Sequence, residues 1–260
     1  MTEGVHPRAD DLDGMSPLEL VTLMNTEDGS AVAAIAPQLE RIAEAVEAIT
    51  ERLRKGGRMH YFGAGTSGLV AAMDAAECPP TFGVAPDIVQ AHVVTEAGQE
   101  DDEVLGAATA GAARVEAGDV VVAVSASGRT PFVVGAMREA STHSPLTIAI
   151  ACRHDSPLAR ASDIAIEVDT GPEVIAGSTR LKCGTVQKLV LNMLTTAVFT
   201  QLGRTHRGRM VGVVAANSKQ RDRAARIIAD LAGLPLLEAL RLLDESGGDV
   251  RAALAGARKP

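Results

Sequence analysis

The sequence predicts an α/β protein built on a doubly wound parallel sheet. Three observations carry this. Five short strand-like runs recur along the chain, four of them rich in Val, Ile and Ala: "RMHYF" (58–62), "DIVQAHVV" (87–94), "DVVVAVS" (119–125), "LTIAIA" (146–151) and "IAIEV" (164–168). Helical stretches separate most of them, and 119–125 is a near-continuous apolar run, as expected of a strand buried on both faces. The composition agrees. The chain is 46% hydrophobic yet has no Trp and one Tyr, so its core is built from Ala, Val, Leu and Ile, as when alanine-rich helices cover β-branched strands.

Taken in order, residues 1–16 are polar and turn-rich. "SPLELVTLMNTED" reads as a helix with Ser16 as N-cap and Pro17 at the first helical position. A helical pattern then runs from Ser30 to Arg54, kinked or restarted at Pro37, and Gly56 and Gly57 end it. After the first strand, "DAAECPPTFGV" (74–84) predicts a helix over 69–77 stopped by Pro79 and Pro80. That stop places Glu77 near a helix carboxyl end, where the dipole disfavours a second negative charge. A long apolar helix covers 184–202. From 217 onward come three short helices, with "AGLP" and "SGGD" as turns.

Several function classes are excluded at this level. A net charge of −8 offers no general attraction to nucleic acid or an anionic membrane, and the scarcity of aromatics leaves no stacking platform for single strands. Cys78, Cys152 and Cys183 are odd in number and lack metal-type spacing, which fits a reducing cytoplasm. "MTEGVHPRADDLDG" has no apolar core of a secretory signal, and "LVLNMLTTAVFT" is too short to span a bilayer. The expectation is a soluble cytoplasmic protein.

The chemistry is expected at two loops. "GAGTSG" (63–68) ends the first strand and "SASGRT" (125–130) ends the third, the side on which open α/β sheets bind ligands. Small residues let an anion approach backbone N–H groups at a helix N-terminus. Gly65, Thr66 and Ser67 in the first loop, with Ser125, Ser127 and Thr130 in the second, add hydroxyl donors. "GAGTSG" also matches the dinucleotide fingerprint, but that site wants a carboxylate about 20 residues on, and Glu96 lies 28 after Gly68. A phosphorylated polyol fits better. The basic cluster Arg204, His206, Arg207 and Arg209 reads as a solvated face.

These residues together resemble the sugar isomerase (SIS) fold and, within it, the N-acetylmuramic acid 6-phosphate etherase family. "GAGTSG", "MDAAECPPTFGV", "DVVVAVSASGRTPFV" and "TGPEVIAGSTRLKCGTVQKLVLNML" are similar to that family's motifs in the same order. The resemblance extends to "SPLELVTLMNTED" and to ubiquitin-associated-like C-terminal helices. It departs in three places: Leu69 stands where the family usually has Arg, the segment before Glu100 is about eight residues short, and Val5 and His6 replace an Arg-Asn pair.

The resemblance implies an N-terminal arm with helices over 1–54, a SIS sugar-phosphate-binding domain over 55–215 and a helical domain over 216–260. It implies a lyase that cleaves the D-lactyl ether of N-acetylmuramic acid 6-phosphate, giving N-acetylglucosamine 6-phosphate and D-lactate. A base removes the C2 proton of the opened aldehyde, an acid protonates the departing ether oxygen, and water then adds. By the same resemblance Glu77 is the acid and Glu100 the base, Ser178 and Lys182 touch substrate, no metal or cofactor takes part, and the chain forms a homodimer. A non-catalytic sugar-phosphate-binding regulator and an aldose–ketose sugar-phosphate isomerase remain open as alternatives.

Overall fold

The computed structural model describes residues 4–96, 98–212 and 218–257. Five parallel strands, β1 (Met59–Ala64), β2 (Val89–Val94), β3 (Val120–Ser125), β4 (Leu146–Ala151) and β5 (Ile164–Glu167), form one sheet in the order β2-β1-β3-β4-β5. The five expected runs are the five strands. Every residue of β1, β3 and β4 is buried, which is why their sequences do not alternate. The order reverses between β1 and β3: the chain leaves β1 for one edge and β3 for the other. That reversal is the topological switch point of an open sheet.

The helices are α1 (Pro17–Ala33), α2 (Leu39–Arg54), α3 (Gly65–Phe82), α4 (Glu103–Ala113), α5 (Pro131–Ser141), α6 (Pro157–Arg160), α7 (Lys182–Gln201), α8 (Ser218–Ala232), α9 (Leu236–Glu245) and α10 (Val250–Ala257). Ser16 closes a capping box with Glu19 at the start of α1, as its position in "SPLE" predicts. The break between α1 and α2 is a short 3-10 turn over Ala36–Gln38 that contains Pro37, so the pattern restarts there.

The chain forms two compact units. One gathers residues up to Ala75 with Asp87–Thr196; the other gathers Ala76–Pro86 with the chain from Ala197 onward. In the first, Phe62, Val121, Ala123, Phe132, Ala136 and Met137 sit at the centre of the apolar core. The buried carboxylate of Asp74 joins three elements, accepting from Tyr61 Oη at 2.9 Å, Asn192 Nδ2 at 2.7 Å and Thr195 Oγ1 at 3.1 Å. Burial pushes the Asp74 carboxyl up despite those three donors. In the second unit, α8, α9 and α10 pack around Ala225, Ile228, Leu243 and Val250. The basic cluster forms a two-stranded hairpin, β6 (Thr205–His206) and β7 (Arg209–Met210), in which Arg209 pairs with Asp230 at 3.0 Å.

One expectation is corrected. Pro79 and Pro80 do not stop α3, which continues to Phe82 and ends where Gly83 turns at φ +63°. Proline fixes φ near the helical value. What it removes is an N–H, so the carbonyls of Ala75 and Ala76 lose their i+4 donors while the backbone path continues. Glu77 therefore lies five residues before the end of the helix.

Helices α4 and α5 cross at backbone contact. A Cβ on Gly106 would lie 1.9 Å from the Phe132 carbonyl oxygen, and one on Gly135 would lie 2.1 Å from that of Glu103. Only two glycines permit so close an approach. The crossing fixes the segments that lead into these helices, and both segments belong to the site.

Candidate active site

The "GAGTSG" loop carries β1 into α3, and Gly65 takes φ +54°, a conformation open to glycine at no steric cost. Thr66 is half-buried and Ser67 buried at the helix start. The "SASGRT" loop carries β3 into α5. Its hydroxyls are set by internal hydrogen bonds. Ser125 Oγ lies 2.8 Å from Thr130 Oγ1 and accepts from the Gly128 N–H at 3.0 Å, and Ser127 Oγ accepts from the Arg129 N–H at 3.2 Å.

Because β1 and β3 are neighbours, the two loops face one cleft of about 310 Å³ at the switch point. Gly65, Thr66 and Ser67 line it from one loop, and Ser127, Arg129 and Thr130 from the other. Ser125 lies buried beneath, holding Thr130. Glu100 and Asp101 form another wall. They sit on a 3-10 turn, Gln99–Asp101, just ahead of Asp102, which caps α4 by accepting from the Leu105 N–H at 2.8 Å. A Cβ built on Gly65 would lie 3.8 Å from Glu100 Oε2, so this carboxylate hangs over the first loop.

The segment before α7 supplies the last wall through Gly177 and Thr179. Ser178 stands between them, half-buried, with its N–H bonded to the Ile175 carbonyl at 3.0 Å. The N-terminus of α7 is closed by the buried Glu173, whose carboxylate accepts from the N–H groups of Lys182 at 2.9 Å and Cys183 at 3.0 Å. Lys182 is 3% exposed and its Nζ lies 2.5 Å from Glu27 of α1, which also meets His6 Nε2 at 3.3 Å. The Lys182 hydrogen bond, helped by His6, holds the Glu27 carboxyl below its usual range against the effect of burial. Lys182 is thus committed to an internal ion pair and is not among the residues lining the cleft. His6, one of the two residues that depart from the family's Arg-Asn pair, completes that network.

Of the residues singled out from sequence, the fold brings Gly65, Thr66, Ser67, Glu100, Ser127 and Thr130 to one cleft. Ser125 supports it from below and Ser178 flanks it. Glu77 is exposed, belongs to the other compact unit and does not line the cleft. Leu69 is 56% exposed and brings no charge. Sequence reasoning missed Arg129, although it stands inside the quoted loop, and missed Asp101, Gly177 and Thr179. It also missed the capping role of Glu173, for which "GPEV" just ahead of a helix was the available signal.

The arrangement combines neutral hydroxyl donors, one guanidinium and two carboxylates around a cleft sized for a small ligand. It can hold an anionic group at the hydroxyl end and abstract a proton at the Glu100 end. Among the described residues no three His, Cys, Asp or Glu side chains are placed to hold a metal ion, and no helix is long and apolar enough to cross a membrane.

Comparison with known proteins shows the family and the fold. The SIS domain family model matches residues 25–152. The chain is 47% identical over 262 aligned residues to the N-acetylmuramic acid 6-phosphate etherase of Nostoc punctiforme, covering 98% of this chain and 85% of that protein. It is 42% identical to the etherase of Mycolicibacterium smegmatis, covering 97% of each. Among solved structures, a Bacteroides fragilis protein classed as a phosphosugar isomerase involved in capsule formation superposes with a TM-score of 0.59 at 23% identity. That match covers 74% of this chain and 95% of the other, and shows the shared fold.

Proposed function

The chain belongs to the N-acetylmuramic acid 6-phosphate etherase family, and from that premise we propose that it cleaves the D-lactyl ether of N-acetylmuramic acid 6-phosphate to N-acetylglucosamine 6-phosphate and D-lactate. The observation that carries the reading is the convergence of Thr66, Ser67, Ser127, Thr130 and Glu100 on one cleft at the switch point. The hydroxyl loops take the 6-phosphate, with Ser178 beside them. This leaves the sugar chain extending toward the Glu100 wall.

In the opened aldehyde the C2 proton is acidified by the adjacent carbonyl. Glu100 removes it as general base, and departure of lactate from C3 requires protonation of the ether oxygen by a general acid. Water then adds at C3 of the unsaturated aldehyde, restoring the hydroxyl. Glu77 is the proposed acid. Because it does not line the cleft of its own chain, we assign it to the cleft of a second copy, in a homodimer. The exposed Leu69 and Met73 on α3 and Leu18, Val21 and Val32 on α1 support such a contact, being apolar side chains open to solvent in the single chain. The 55–215 segment is the sugar-phosphate-binding domain in this reading, with 1–54 and 216–260 as helical additions, and the enzyme is cytoplasmic.

The test is direct. Purified chain is incubated with N-acetylmuramic acid 6-phosphate, and D-lactate is followed with a D-lactate dehydrogenase couple. Stoichiometric release of lactate and N-acetylglucosamine 6-phosphate is expected. Binding of the sugar phosphate without lactate, or interconversion of sugar phosphates, would contradict the proposal.

A further inference from the structure

The geometry points to Arg129 as the residue that supplies the countercharge for the ligand's phosphate, an inference that rests on the function proposed above. Four observations converge on it. Among the described residues lining the cleft, Arg129 is the only Lys, Arg or His. Its guanidinium has no hydrogen bond or ion pair among the described residues, whereas Lys182 is buried and consumed by Glu27. The turn that presents it is closely packed. Gly128 takes φ +62°, a Cβ there would meet Ser156 at 2.3 Å, and its carbonyl accepts from the Leu158 N–H at 3.2 Å. Arg129 also springs from between the two hydroxyls, Ser127 and Thr130, that line the same wall.

Charge supports the assignment. A phosphomonoester carries roughly −1.5 to −2 charges near neutral pH. The hydroxyls are neutral, and each helix N-terminus contributes only about half a positive charge. Helix α5 offers less than its share, since it opens with Pro131, which has no N–H. The lining also carries Glu100 and Asp101, which repel an anion. Glu100 and Asp101 make the described lining negative, and Arg129 offsets part of that charge beside the hydroxyls. With Arg129, the phosphate is drawn to the loop of Ser127 and Thr130, so the same charge also sets the direction in which the substrate lies. Arg129 is thus a binding and orienting residue.

The test uses Arg129→Gln and Arg129→Lys in the full chain, with thermal unfolding to show that the exposed site leaves the fold unchanged. Binding of N-acetylglucosamine 6-phosphate is measured by calorimetry, because this sugar keeps the phosphate and lacks the lactyl carboxylate. Arg129→Gln should weaken it at least about tenfold, the loss expected for a charge-assisted hydrogen bond, and Arg129→Lys should recover part of the loss. KM for N-acetylmuramic acid 6-phosphate should rise by the same factor. Unchanged binding of N-acetylglucosamine 6-phosphate to Arg129→Gln overturns the assignment. So does a loss confined to the lactyl-bearing substrate, which would place the guanidinium at the carboxylate instead. The calorimetric arm reads binding of the phosphorylated sugar without turnover, so it stands even if the wild-type chain releases no lactate, an outcome that would sink the etherase reading and not this one.

Discussion

Where β1 meets β2, the rings of His60 and His92 stack with centroids 5.4 Å apart, and His60 Nδ1 lies 3.1 Å from His92 Nε2. Burial, reinforced by the neighbouring His60, pushes the His92 imidazole down to about 4. Burial lowers His60 as well, although Asp119, 3.3 Å from its Nε2, pulls the other way. The unfolded chain titrates these histidines near pH 6.5. Between that value and the depressed native one the unfolded state binds more protons, so their contribution is fully present above pH 6.5 and is lost as the pH falls toward 4. The unfolding midpoint should therefore drop steadily from pH 7 to pH 4.5, and His92→Gln should flatten that slope; equal slopes in the two proteins would refute the assignment. At this scale the sequence made legible those residues whose role is local. Thr66, Ser67, Ser127 and Thr130 act within short strand-to-helix loops, and Glu100 sits two residues before a helix cap. The commitment of Lys182 to Glu27 joins residues 155 apart, and no spacing rule announces such a pair.

Elements were legible where hydrophobic pattern decides and obscure where backbone contact does. All five strands lie at the expected runs, and β1, β3 and β4 carry the strong compositional mark of burial on both faces. The end of α3 was misread since two prolines cost hydrogen bonds without bending φ away from the helix, and the true stop is Gly83. The α4–α5 crossing left only two glycines in the sequence, Gly106 and Gly135, in segments that read simply as helical. Its consequence is functional. Glu100 precedes α4 and the "SASGRT" loop precedes α5, so the crossing sets Glu100, the proposed base, in the same cleft as the hydroxyls. Gly106→Ala puts a methyl 1.9 Å from a carbonyl oxygen, so the helices must separate. Overpacking of this kind costs about 1–3 kcal/mol, and backbone displacement puts Gly106→Ala at the upper end. Urea unfolding should show that loss, and kcat/KM for lactate release should fall even where the variant is fully folded. Wild-type stability and turnover in Gly106→Ala would show that the crossing does not position the site.

For the whole molecule, the sheet order places the two ligand loops side by side, and this follows from connectivity that the strand–helix alternation already implied. What the chain pattern did not reveal is that α3 and α7 each run from one compact unit into the other, so that Glu77 and Glu100 fall in different units. The exposed apolar side chains of α1 and α3 support the proposed exchange of Glu77 between two copies.

The central claim is that this cleft eliminates lactate by removing the C2 proton with Glu100 and protonating the ether oxygen with Glu77. Proton NMR of the sugar's C2 signal in heavy water, run beside a lactate assay for Glu100→Gln and Glu77→Gln, tests both roles at once. Glu100→Gln should slow C2 exchange and lactate release together, since no elimination proceeds without loss of that proton. Glu77→Gln should stop lactate release while C2 exchange stays measurable, because the base is intact and only the departure of the ether oxygen is blocked. Exchange abolished by Glu77→Gln and retained by Glu100→Gln would reverse the roles, and wild-type behaviour of both variants would contradict the account.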